Sequence, residues 1–228
     1  MRKAVAVAML AVLMALWVDA MYAGAKKPLP RPTGTVTPVP SGEGWLDLFD
    51  AENAPLWKVS AKNRFEFQDG VLHIFGKKPT QYIQYTGDSY ADFQAHLEFK
   101  LTAKANSGLM FRAAPEDPVY QGMEIQIIDS YGEEPSYFSC GALYDVVSPM
   151  FNVVNKPGEW NSLDLTVQGK HVVAVINGWK VLDVDLSLMT MPIGKFPSPL
   201  AELPPTGSLF LQDHGDEVWF RNMRVKRL

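Results

Sequence analysis

Residues 93–101 read Phe93-Gln94-Ala95-His96-Leu97-Glu98-Phe99-Lys100-Leu101. Apolar and polar side chains alternate without interruption, the period of a strand with one buried and one wet face; a helix would place its apolar residues three and four apart. The same alternation returns at Leu163, Leu165 and Val167, set against Ser162, Asp164 and Thr166. Val172–Ile176 and Trp179–Val184 flank Asn177-Gly178, a pair suited to a type I′ hairpin turn because both central residues need positive φ. Further strands are expected at Phe65–Gln68, Val71–Phe75, Tyr82–Tyr85, Gly108–Arg112, Met123–Ile128, Ser208–Asp213 and Val218–Lys226, with Asp69-Gly70 turning between the first two. About ten short strands separated by turn residues, and no long amphipathic helix, predict an all-β fold, a sandwich or a barrel, with the two-sheet sandwich preferred. Leu186 to Pro205 holds five prolines and reads as a long irregular loop, a common location for functional rims.

The regions before this domain differ in character. Arg2 and Lys3 precede an apolar run from Ala4 to Trp17, and Ala23-Gly24-Ala25 offers a small-x-small cleavage site. This is the pattern of a secretory signal peptide over residues 1–25, too short for a comfortable membrane span. The mature protein is therefore expected to be exported, to periplasm, cell surface or medium, with no membrane span. Residues 26–43 carry five prolines and almost no large apolar side chains, and read as an extended spacer. Its removal is expected to leave stability unchanged within about 0.5 kcal/mol. The domain proper spans residues 44–228. Hydrophobic residues make up 47% and charged residues 20% of the 228, with a formal net charge of −4. That composition suits a single soluble core and gives no basic surface for nucleic acid. Cys140 is the single cysteine, so no internal disulfide forms, and it is expected to be buried and inert.

No GxGxxG, P-loop, HExxH or GxSxG sequence occurs, which removes support for nucleotide binding, zincin chemistry and the serine-hydrolase elbow. What stands out is polar residues inside apolar strands. Glu124 and Gln126 share one face of their strand, opposite Ile125 and Ile127. Gln212 and His214 share another, Arg112 ends a strand opening near Asn106, and Arg221-Asn222 lies within the last strand. Each alone could be a solvated outer-face residue or part of a buried ion pair, such as Glu124 with Arg112. As a set they suit the floor of a groove for a carbohydrate, where amides, carboxylates and Arg bind hydroxyls and an aromatic ring such as Tyr144 covers a sugar face.

Several segments carry a resemblance: Tyr90–Phe93, Asn106–Arg112, Gly122–Asp129, Cys140–Tyr144, Gly158–Asn161, Ile176–Gly178, Gly207–Gly215 and Phe220–Asn222. In this order they resemble the 3-keto-disaccharide hydrolase domain family, over roughly Gly44 to Leu228. One departure is Leu48-Phe49-Asp50-Ala51-Glu52, where the family has an Asn-Gly-Lys-type turn. The resemblance implies a two-sheet antiparallel jelly-roll sandwich of the concanavalin- or laminarinase-like kind, exported by bacteria and acting on glycosides whose C3 hydroxyl has become a ketone. A 3-ketone acidifies the C2 proton, so a base can remove it, the aglycone leaves C1 by β-elimination, and water completes a net hydrolysis. Glu124 and His214 are the candidate base and acid. Arg112 or a bound divalent metal would stabilise the enolate, with Glu124, Gln126 and His214 as candidate ligands. Gln126, Gln212, Asn106, Tyr144 and Arg221 are the candidate sugar contacts. Two other readings stay open: a non-catalytic carbohydrate-binding module, and a laminarinase-type retaining glycosidase using Glu124 with Asp129, which reaches the same face only across a bulge.

Overall fold

The computed structural model describes residues 32–228; the expected signal peptide and the start of the spacer lie outside them. Among the described residues thirteen strands form two antiparallel sheets. In chain order they are β1 (Trp45–Asp47), β2 (Trp57–Lys58), β3 (Phe65–Gln68), β4 (Val71–Phe75), β5 (Gln81–Tyr85), β6 (Phe93–Leu101) and β7 (Asn106–Ala113). They continue as β8 (Met123–Ile128), β9 (Trp160–Gln168), β10 (His171–Ile176), β11 (Trp179–Asp185), β12 (Ser208–Asp213) and β13 (Glu217–Arg227). The larger sheet runs β11-β10-β9-β6-β13-β4-β3, with β1 also on β13; the smaller runs β2-β5-β12-β7-β8. This is the expected jelly-roll sandwich. The expected strands all form, and β1 and β2 are added, each too short to show a period.

Alternation builds the core. Leu97 and Phe99 of β6, Leu163 and Leu165 of β9 and Phe220 of β13 point inward from the larger sheet and are fully buried or nearly so. Ile83, Leu109, Phe111, Ile125 and Leu211 meet them from the smaller one. Each such side chain contributes roughly 1.5–3 kcal/mol of burial. The β10–β11 hairpin turns on Asn177 and Gly178 at φ of 50° and 81°, the expected positive values. Cys140 is buried, and burial pushes its thiol up to about 12, as an inert side chain requires.

Two expectations need correction. The second face of β6 is not wet: His96 and Glu98 are buried. His96 pairs through Nδ1 with Asp164 Oδ1 at 2.6 Å, while Glu98 accepts from Arg221 at 2.7 Å and from Asn222 at 2.8 Å. The spacer is the other. From Pro32 onward it is extended but tied to the outer face of the larger sheet. Thr35 N donates to Asn177 O at 3.1 Å, Thr37 Oγ1 to Asp164 Oδ2 at 2.7 Å, Trp179 Nε1 to Thr33 O at 3.2 Å, and Arg224 to Pro40 O at 3.2 Å. Hydrogen bonds rather than apolar side chains hold it, which is why a search for core residues finds nothing there.

Candidate active site

The smaller sheet leaves its outer face open, and the polar set gathers there. Because side chains alternate along β8, Ile125 and Ile127 enter the core while Glu124 and Gln126 face outward. Gly108 of β7 pairs with Gln126, and Met110 with Glu124. A Cβ at Gly108 would lie 2.0 Å from Glu124 Oε1, so only glycine there lets the carboxylate lie against the backbone. Gln212 of β12 stands opposite Tyr82 of β5. Together with Asn106, Tyr144, His214, Thr80, Val119 and Lys195 these residues enclose a cavity of about 210 Å³.

Lys195 comes from the long proline-containing loop. The loop turns tightly between Ile193 and Phe196, with Gly194 at φ 55° and pressed on Asp145; a Cβ there would sit 2.0 Å from its carbonyl oxygen. Buried Phe196 anchors the turn. Lys195 Nζ thereby lies 3.5 Å from Glu124 Oε2, 5.0 Å above the Tyr144 ring and 5.4 Å above the Phe196 ring. The side chains of Glu124 and Lys195 are only 3% and 10% exposed.

Burial sets the electrostatics of this pair. It pushes the Glu124 carboxyl up from 4.5 to about 7, against the pull of the Lys195 ammonium. It holds Lys195 below the ordinary lysine value, against the pull of Glu124. Tyr82 and Tyr144 are both raised, first by burial and then by the Glu124 charge. The carboxylate therefore changes charge close to neutrality, where a general base works best.

The cavity also collects unpaired acceptors. Among the described residues, seven buried side-chain nitrogen or oxygen atoms lack a hydrogen-bond partner, and four belong to this wall: Asn106 Oδ1, Glu124 Oε1, Gln126 Oε1 and Gln212 Oε1. Buried polar atoms in a folded protein are seldom left so, and four in one small space fit a ligand rich in hydroxyl donors.

Six of the eight nominated residues thus meet: Glu124, Gln126, Gln212, Asn106, Tyr144 and His214. Two do not. Arg112, at φ 48°, turns away from the cavity; it donates to Ala91 O at 2.9 and 2.8 Å, to Gly169 O at 2.7 Å and to Asp92 at 3.0 Å. Its expected pairing with Glu124 is absent, and Lys195 stands where the cation was sought. Arg221 lies on the other sheet, ion-paired with Glu98 and stacked 4.0 Å over Trp160, far from any sugar contact in this cavity. Lys195 and Tyr82 escaped the sequence reading. Tyr82 belongs to an expected strand and Lys195 to the long proline-containing loop, but neither stands in a spacing that marks a pair across the fold.

The second-carboxylate and metal readings weaken here. β7 and β8 pair without a register shift, and Asp129 lies past the end of β8, accepting from Lys104 N at 2.8 Å and Tyr131 N at 3.2 Å. The cavity wall keeps one carboxylate, which removes the two-acid geometry of a retaining glycosidase. Among the described residues no group of three or more His, Cys, Asp or Glu gathers to hold an ion. Of the nominated ligands, Glu124 already faces an ammonium, Gln126 is neutral, and His214 Nδ1 lies 3.8 Å from Asp216. That donor set does not fit a resident divalent cation, since its one carboxylate is already engaged by the Lys195 ammonium and, among the described residues, no cluster of anionic and imidazole ligands converges beside it.

Known proteins share this architecture and more. A galectin-like protein from Bacillus subtilis superposes with a TM-score of 0.56 at 14% identity, covering 87% of this chain and 98% of that one, a likeness of fold alone. A crystal structure from Parabacteroides distasonis, assigned provisionally to the glycosyl hydrolases, matches with a TM-score of 0.71 and 32% identity over 81% of this chain and 99% of its own. A 3-keto-disaccharide hydrolase from Bacteroides thetaiotaomicron is 26% identical over 82% of this chain and 79% of its own length. The sequence profile of the 3-keto-alpha-glucoside-1,2-lyase-like domain matches residues 44–226. With that match extending over nearly the whole sandwich, the chain belongs to the 3-keto-alpha-glucoside-1,2-lyase-like domain family.

Proposed function

We propose that this protein cleaves 3-keto-glycosides, with Glu124 as the base that removes the C2 proton and Lys195 as the cation beside the developing enolate. The observation that carries the reading is the Glu124–Lys195 pair: a carboxyl held at about 7, 3.5 Å from an ammonium, in a cavity on the scale of one sugar ring. The family and the Bacteroides relative support the substrate class.

The chemistry follows from the residues. A sugar ring entering the cavity offers hydroxyl protons to the free acceptors of Asn106, Gln126 and Gln212, which orient it. Glu124 takes the C2 proton, and negative charge collects on the C3 oxygen. A buried ammonium stabilises that oxyanion more strongly than it would in water, because the surroundings screen it less. The enolate then expels the C1 substituent, and water added across the resulting double bond gives the keto sugar. Without the ketone the C2 proton is too weakly acidic for any carboxylate, so the parent glycoside is not a substrate.

A product assay in heavy water tests this. The protein should release the aglycone from a 3-keto-glucoside, place deuterium at C2 of the keto sugar, and leave the parent glucoside intact. Cleavage of the parent, or release without C2 label beyond background enolisation, would overturn the mechanism. Binding without release from either would assign the fold to carbohydrate binding alone. We also propose that the chain is exported, on the strength of Arg2, Lys3, the apolar run and Ala23-Gly24-Ala25. The intact mass of the exported protein should place its first residue near Lys26; a full-length mass in the membrane fraction would refute this. Among the described residues no helix is long and apolar enough to cross a membrane.

A further inference from the structure

We propose that a second cavity, beyond Tyr82, receives the leaving group, and that the Tyr82 hydroxyl, at the seam, protonates the departing oxygen. The inference rests on the keto-glycoside reading above.

The two cavities lie side by side on the outer face of the smaller sheet, and Thr80 and Tyr82 line both. The first, at about 210 Å³, is below the roughly 300 Å³ at which sites for larger ligands begin, so it holds one ring and not two. The second measures about 470 Å³. Glu124 must face C2 of the bound ring, and the scissile bond starts one atom away, at C1. The group on C1 therefore has to leave toward neighbouring space, and the space that shares a wall with the first cavity is the one past Tyr82.

Its lining matches a sugar or similar hydroxyl-bearing ring. Phe210, Pro115 and Pro118 offer apolar surface to a ring face. Ser60, Gln81 and Gln84 offer hydroxyl and amide groups to ring edges. Ser60 Oγ donates to Gln81 Oε1 at 3.0 Å, and Gln84 Nε2 to Ser208 Oγ at 3.1 Å, so these groups are held in place. No carboxylate lines this cavity, and Lys58 is its charged residue, which favours a neutral leaving group over a cationic one.

Tyr82 is fixed at the boundary. Its ring packs on Met110, Ala113 and Phe210, and its backbone pairs with Gln212. Burial and the Glu124 charge keep the phenol protonated, the state a proton donor needs. In the forward step the C2 proton passes to Glu124, the C1–O bond breaks with its electron pair on oxygen, and Tyr82 gives that oxygen a proton. In the hydration step water adds its oxygen to C1, its proton restores Tyr82, and Glu124 returns a proton to C2. Atoms and charge balance with water as the sole co-reactant.

Leaving-group dependence tests the assignment. A 4-nitrophenyl group departs without protonation, whereas a methoxy group does not. In Tyr82→Phe the ratio of kcat/KM for 4-nitrophenyl over methyl 3-keto-glucoside should rise by about 100-fold or more, the scale of a lost general acid. Thermal unfolding of the variant establishes that it is folded. In Gln84→Trp, which obstructs the second cavity, the ratio of KM for a 3-keto-disaccharide to KM for methyl 3-keto-glucoside should rise by about tenfold. Wild-type protein that cleaves these substrates while both ratios stay flat in the variants overturns this inference alone. Wild-type protein that cleaves none of them overturns the keto-glycoside reading, and this inference with it.

Discussion

Replacing Glu124 by Gln should remove activity and at the same time stabilise the protein, by an amount that depends on pH. Burial holds the folded-state carboxyl at about 7 against an ordinary 4.5. Below about 4.5 the group is protonated whether the chain is folded or not, and it contributes nothing. As pH rises through this interval the unfolded chain ionises freely while the folded one resists, so stability falls; above about 7 the full loss is present. The interval corresponds to about 3 kcal/mol. The attraction of Lys195 is already contained in it, since that attraction lowers the carboxyl. Gln keeps the shape of the protonated acid and never ionises. Glu124→Gln should therefore exceed the native protein by about 3 kcal/mol near pH 8 and by less than about 1 kcal/mol near pH 5. In a domain of this size the larger figure is a melting shift of about 6 °C or more. Turnover on a 3-keto-glucoside should drop by about 100-fold or more. Thermal or urea unfolding of both proteins at the two pH values is the assay. A variant less stable than the native protein at the higher pH, or a difference that ignores pH, would mean that the carboxylate is there to hold the fold, and the reasoning fails.

Other outcomes follow from the same geometry. Lys195→Met should lower turnover by about 100-fold or more and move the acidic limb of the pH–rate profile upward, since the cation holding the Glu124 carboxyl down is gone; an unmoved limb would separate the two residues. Gly108→Ala puts a methyl 2.0 Å from Glu124 Oε1 and should cost about 1–3 kcal/mol of stability along with activity; near-native turnover would contradict the seat described for the carboxylate. Arg112→Met strips a buried guanidinium from Ala91, Gly169 and Asp92; it should cost about 3 kcal/mol while each folded molecule keeps its turnover, and selective loss of kcat would return Arg112 to the site. Truncation to Gly44 removes the hydrogen bonds of Thr35 and Thr37 and should lower the melting temperature measurably, where a free spacer would leave it unchanged. Exhaustive chelation should leave activity intact; loss restored by one added cation would reinstate the metal reading.

The sandwich was legible because its information is local. Asn177-Gly178 and the alternations at 93–101 and 163–167 fix turns and faces within a few residues. Glu124 and Gln126 were legible for the same reason: two polar side chains on one face of an apolar strand must meet either solvent or a ligand. The identity of their partner was not legible. Arg112 is nearer to Glu124 in sequence than Lys195 is, but its backbone at φ 48° sends the guanidinium elsewhere. Lys195 reaches the carboxylate by the packing of Phe196 and the close seat of Gly194, 71 positions along the chain from Glu124. The buried His96 and Glu98 misled in the opposite sense. Alternation tells which side chains share a face, not what will pair with them there: His96 is held by Asp164, which the strap also bonds through Thr37, and Glu98 by Arg221 and Asn222, none of which has a periodic signature.

That strap gives the molecule a front and a back. Residues 33–40 run along the outer face of the larger sheet, and the cavity of Glu124 opens on the outer face of the smaller one. Pro32, the first described residue, and that cavity therefore belong to opposite sides of the sandwich. A domain begun at Pro32 and immobilised there should thus keep the cavity accessible to bulky ligands, whereas attachment through lysines at the cavity rim would block it.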